Sequence, residues 1–139
     1  MIILDTNVLS AVMHSSPPEV VIAWLDRQPA SSVWTTAVTV FEIEYGLRRL
    51  PEGKRRALLE GAFRAVMTED LGERILSFDA KAALAAGAIS AALEAEGRTV
   101  DVRDVQIAGI ARAREAIVAT RNVRHFERSC DVVNPWQDD

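Results

Sequence analysis

Short aliphatic runs alternate with helix-length stretches along most of this chain, and few folds accommodate that pattern. The runs fall at residues 2–5, 33–36, 75–78, 117–120 and 132–134. Residues 19–27, 37–49, 54–67, 80–96 and 102–114 carry helix-like patterning between them. Parallel strands need long crossovers, usually helical, so the alternation predicts an α/β fold with a mainly parallel, about five-stranded sheet and right-handed connections. The run at 75–78 reads as a strand or a short extended link. Ile2-Ile3-Leu4 is continuously apolar, as suits a strand covered on both faces. It ends in Asp5, where open parallel sheets build their ligand crevices.

Local punctuation agrees with these boundaries. Pro17-Pro18 precedes the helix at 19, and Pro51-Glu52-Gly53 separates two helices. Asp79 is placed to cap the helix beginning at Ala80, and Gly97 to stop it. That helix carries Ala82, Ala83, Ala85, Ala86, Gly87 and Ala88, a small-residue face that admits close approach of another helix, within the fold or across an oligomer interface. With no repeat, low-complexity tract or linker, residues 1–139 read as a single domain.

Composition narrows the function classes. Cys130 is the only cysteine, which excludes an internal disulfide and a cysteine-based zinc site. Neither a signal-like start nor an uncharged apolar run of membrane-spanning length is present, so a cytoplasmic protein with no membrane partner is expected. The net charge of −4 argues weakly against a polyanionic partner. Arginines nevertheless gather in two stretches, Arg48 to Arg56 and Arg112 to Arg128. Arg121 and Arg124, after the fourth run, read as phosphate contacts or as ordinary solvated arginines. Trp24, Trp34 and Trp136 are scattered and read as packing residues rather than as a base-stacking platform.

Acidic residues stand out by context. Glu42 has Val38, Thr39, Tyr45 and Gly46 as its one-turn neighbours, a mostly apolar or small flank. Glu44 points the other way and reads as solvated. Asp101 and Asp104 share one side of a helix start, where Asp101 would cap and Asp104 would complement the helix dipole. Taken together, Asp5, Glu42 and Asp104 would repel unless a cation compensates them. Hard oxygen donors select Mg2+ or Mn2+ over zinc, and such an ion would make water a better nucleophile toward phosphorus.

Several motifs then combine. Asp5-Thr6-Asn7, Thr39-Val40-Phe41-Glu42, Asp104-Val105-Gln106-Ile107-Ala108, Thr120-Arg121-Asn122 followed by Phe126, and Asn134-Pro135-Trp136 together resemble the PIN-domain nucleases. Within them the chain is most similar to the VapC/FitB group of type II toxin–antitoxin systems. The resemblance spans essentially the whole chain. It implies a three-layer α/β/α domain whose acidic pocket cuts RNA with Mg2+ or Mn2+. Asp5 and Asp104 match the metal-binding aspartates, Glu42 the third acid, and Thr6, Asn7 and Thr120 the polar neighbours that position them. Asn122 and His125 stand where other members carry an acid, which favours a one-metal site. The implied partners are an RNA substrate, a cognate antitoxin whose tail crosses the acidic groove, and a second copy of the chain. A binding module that uses the fold without cutting remains the alternative, kept open by Asn122. A phosphatase with Asp5 as nucleophile is disfavoured, because Asn7 replaces its second acid. No Gly-rich phosphate loop follows the first strand.

Overall fold

A computed structural model describes residues 1–137. Its five strands are β1 (Ile2–Leu4), β2 (Val33–Thr36), β3 (Ile75–Leu76), β4 (Ile117–Ala119) and β5 (Asp131–Val133). All neighbouring pairs are parallel, in the order β3-β2-β1-β4-β5. The helices are α1 (Thr6–Met13), α2 (Glu19–Asp26), α3 (Ala37–Arg48), α4 (Lys54–Ala65), α5 (Ala80–Ala95) and α6 (Val102–Arg114).

Successive strand residues point to opposite faces, and this divides the interior into two cores. Ile3 and Val118 face a layer that includes Ile89 of α5, Ile107 and Ile110 of α6, and Phe126. Their neighbours Leu4 and Ala119 face the other layer, built from Val8 and Leu9 of α1, Val21 and Trp24 of α2, Ile43 of α3 and Phe63 of α4. The three-layer expectation therefore holds. β1 pairs with β2 on one side and β4 on the other, so the chain's direction of travel across the sheet reverses between β1 and β4. Crevices form at such reversals, at the carboxyl ends of the strands.

One helix escaped the sequence reading. The first strand stops at Leu4, and Asp5 opens α1 with its carboxylate accepting from the Thr6 amide at 2.8 Å. The Asp5 amide still reaches Ala119 O at 3.0 Å. Asp-Thr-Asn reads as a turn, which hid the helical spacing of the buried Val8, Leu9, Ala11 and Met13. Other boundaries moved less. α4 passes into a π-helical turn at Val66–Asp70, β3 has only two residues, and β5 begins one residue earlier than expected. Asp79 caps α5 through the Ala82 amide at 2.9 Å, and Gly97 follows it with φ +75°.

The small-residue face of α5 is used inside the fold. Gly109 of α6 lies so close that a Cβ there would sit 2.5 Å from Ala82 O and 2.7 Å from Ala86 Cβ. Ala82, Ala86 and Ile89 form the buried side of α5.

Candidate active site

The site begins with the end of β1. Asp5 is only 5% exposed, and its two carboxylate oxygens are held differently. Oδ1 takes the Thr6 amide, while Oδ2 accepts from the Thr120 hydroxyl at 2.8 Å and from Asn7 Nδ2 at 3.3 Å. Asn7 Nδ2 also reaches Thr120 Oγ1, and Asn7 Oδ1 accepts from the Arg121 amide at 3.0 Å. Thr120 Oγ1 accepts in turn from the Asn122 amide at 3.0 Å. These bonds tie the start of α1 to the segment after β4 and orient Asp5 from both sides.

Glu42 arrives from α3. Thr36 caps that helix by accepting from the Thr39 amide at 3.1 Å, which sets where the next turn points. Glu42 Oε1 accepts from the Thr6 hydroxyl at 3.0 Å, and Oε2 lies 3.7 Å from Arg103 Nη1. Asp104 stands in the first turn of α6, where Asp101 accepts from the Arg103 and Asp104 amides. Its Oδ2 is 3.0 Å from His125 Nδ1. Glu44 turns outward to pair with Arg48 at 2.8 Å, as its helical phase requires.

Asp5, Glu42 and Asp104 line one cavity of about 640 Å3 at the carboxyl edge of the sheet, with Thr6, Asn7, Arg121 and Asn122 on its walls. Thr120 is fully buried and acts through Asp5. Arg124 does not join this cavity; it opens on a neighbouring one of about 310 Å3 beside His125 and Asp104.

The electrostatics of the cluster have one sign. Burial raises the pKa of Asp5, offset partly by its bonds from Thr120 and Thr6. Burial also raises Glu42, against the Thr6 bond and the Arg103 charge. Asp104 is pushed up to about 6, by burial first and by the Asp101 charge second. Each group gains from a positive charge in the cavity. The donors are hard oxygens, which suit Mg2+ or Mn2+. Among the described residues, no three His, Cys, Asp or Glu side chains converge closely enough to enclose an ion.

Three neighbours make contacts that their local sequence does not announce. Arg103 pairs with Glu42, and only its position next to Asp104 hinted at this. His125 contacts Asp104 directly. Trp24 is buried and Trp34 packs on the core as expected, but Trp136 also borders the cavity, with the Arg121 guanidinium 4.9 Å from its ring centroid.

A parallel sheet flanked by helices on both faces, with an acidic cavity at its switch point, defines an α/β/α architecture with its crevice at the carboxyl ends of the strands. The PIN domain family model matches residues 2–131, and the chain belongs to the PIN-domain family. Over 138 residues it is 35% identical to the VapC ribonuclease Y4jK of Sinorhizobium fredii, covering 99% of each chain. It is 34% identical to the toxin FitB of Neisseria gonorrhoeae, covering 99% of this chain and all of that one. Among solved structures, FitAB bound to the IR36 DNA fragment contains a chain of 33% identity that superposes with a TM-score of 0.89, covering 100% of this chain and 98% of that one.

Proposed function

We propose that this protein is a metal-dependent endoribonuclease toxin of a toxin–antitoxin module. The observation that carries the reading is the convergence of buried Asp5 with Glu42 and Asp104 on one open cavity. Full-length similarity to a VapC ribonuclease and to the FitB toxin supports it. Asp5 and Asp104 would hold Mg2+ or Mn2+. When bound, such an ion stabilises charge on a phosphodiester and makes water a better nucleophile. Glu42 Oε1 is fixed by Thr6, and Oε2, with Arg103 Nη1 at 3.7 Å, would orient the attacking water and take its proton. Thr120 and Asn7 keep Asp5 aligned, and the Arg121 charge offsets the substrate phosphates at the cavity wall.

A cognate antitoxin belongs to the same reading, with a basic tail segment occupying the cation's place among the three acids. The FitAB complex is the support for such a partner. A second copy of the chain is the other proposed partner, and exposed Phe41 and Tyr45 on α3 supply an apolar surface for it. Action would be in the cytoplasm, where its RNA is found. Among the described residues, no helix is long and apolar enough to cross a membrane.

The test is purified protein incubated with total RNA in Mg2+, in Mn2+ and in chelator. Cleavage is expected only with metal, and Asp5→Asn or Asp104→Asn should abolish it while circular dichroism stays unchanged. Undiminished cutting by both variants would refute the assignment. Binding of RNA without cleavage by the parent would instead favour the non-cutting module that the uncharged Asn122 allows.

A further inference from the structure

Arg121 and Trp136 form a pair that the carboxylate chemistry does not need. The guanidinium carbon lies 4.9 Å from the indole centroid, and both residues border the cavity that holds Asp5 and Asp104. Both are anchored through their backbone. The Arg121 amide donates to Asn7 Oδ1, the same Asn7 that contacts Asp5, at 3.0 Å. The Trp136 amide donates to Asn134 Oδ1 at 3.0 Å, and the indole packs on the core beneath. Among the described residues no carboxylate pairs with Arg121, whereas Arg103 and Arg128 are each paired with a glutamate. Arg121 is exposed, so its guanidinium stays accessible on the side away from the indole.

We propose that Arg121 and Trp136 form a nucleobase ledge, on which an unpaired base next to the scissile phosphodiester stacks. This rests on the nuclease reading above and extends it to how single-stranded RNA is held. Unstacked bases are recognised on aromatic rings and guanidinium planes, and a planar cation backed by an indole offers both at once. A guanidinium can also clamp a phosphate through its planar fork, but such a clamp needs no aromatic ring beside it, so the Trp136 indole is what points to a base. The link through Asn7 couples the ledge to Asp5, so a stacked base places its phosphate in register with the acids.

The experiment compares Arg121→Lys, Trp136→Leu and Trp136→Phe, each in full-length protein. Binding is read in an Asp104→Asn background, with a short single-stranded RNA carrying the fluorescent base aminopurine. Stacking quenches the probe. Arg121→Lys and Trp136→Leu should each lose the quenching and bind about tenfold more weakly. Trp136→Phe should keep most of both. The salt dependence of binding between about 50 and about 200 mM should be unchanged in all three, since no charge is removed. In the cutting-competent protein the same changes should raise KM more than they lower kcat. Parent-like binding and quenching by Arg121→Lys, a surface change that leaves the fold intact, would overturn the ledge. If the parent cuts RNA and this happens, only the ledge falls. If the parent neither cuts nor binds RNA, the nuclease reading falls and the ledge with it.

Discussion

Gly109→Ala tests how α5 and α6 are held together, and its cost follows from the geometry. Alanine is the better helix former, so the change alone would stabilise α6 by about 1 kcal/mol. Against this, the new Cβ would lie 2.5 Å from Ala82 O, 2.7 Å from Ala86 Cβ and 2.9 Å from Ala86 N. Ordinary contacts between carbons lie near about 3.5–4.0 Å, so the helices must part by roughly 1 Å. Two of the three atoms are backbone and the third is a Cβ, so no side chain can rotate out of the way. Overpacking of this kind costs about 3 kcal/mol, the upper end of its usual range. The net loss is about 2 kcal/mol, which for a chain of this size lowers Tm by about 8 °C.

Gly87→Ala is the matched control. Gly87 sits on the exposed side of α5, and a Cβ there meets nothing within 4 Å. Here propensity acts unopposed, and Tm should rise by about 2–4 °C. Thermal melts followed by circular dichroism give both values. The same chemical change must therefore have opposite signs at the two positions. A Gly109→Ala protein as stable as the parent would refute the close approach of the two helices.

Further outcomes follow from the site. Thr120→Val strips a buried hydroxyl that serves Asp5, Asn7 and Asn122, and should cost about 1–3 kcal/mol in denaturant unfolding, largely recovered by Thr120→Ser. Glu42→Gln should lower kcat by about a hundredfold or more in an RNA cleavage assay with the fold retained; a parent-like rate would remove Glu42 from proton transfer. Arg103→Met removes the positive charge that favours ionised Glu42, so the acidic limb of the cleavage pH profile should move to higher pH. Asp104 has its folded pKa raised from 3.8 to about 6, so the folded metal-free protein binds this proton more tightly than the unfolded chain. Stability from that source is present below about pH 4 and lost as pH rises toward 6. Asp104→Asn should therefore gain stability relative to the parent across that window, and added Mg2+ should raise the Tm of the parent but not of the variant near about pH 7.

Much of this molecule is decided locally. The alternation of aliphatic runs with helical stretches is enough to demand a parallel sheet, because parallel strands leave no shorter way to connect. Asp79 and Asp101 announce their helix starts, since a capping carboxylate acts within its own turn. Asp5, Glu42 and Asp104 could be singled out from their neighbours in sequence, and all three reach one cavity. The helix after Asp5 was obscured for the same reason that Asp5 is useful. A residue that ends a strand, caps a helix and points a carboxylate into a crevice looks in sequence like a turn.

Partners were another matter. Periodicity shows that one side of a helix is apolar or small but not what lies against it. The alanine-rich face of α5 was equally compatible with a second copy of the chain, and only the approach of Gly109, where an added Cβ would lie 2.5 Å from Ala82 O, shows where that face is used. The Thr6–Glu42 and Asp5–Thr120 bonds join residues 36 and 115 positions apart. They exist because β1 lies between β2 and β4, an order that no local pattern encodes. The same holds for Arg103 at Glu42, His125 at Asp104, and Arg121 over Trp136. Sequence alone pointed to the five strands, to the helices other than α1 and to the three acids that line one cavity; strand order and helix packing decided what each acid, arginine and indole faces.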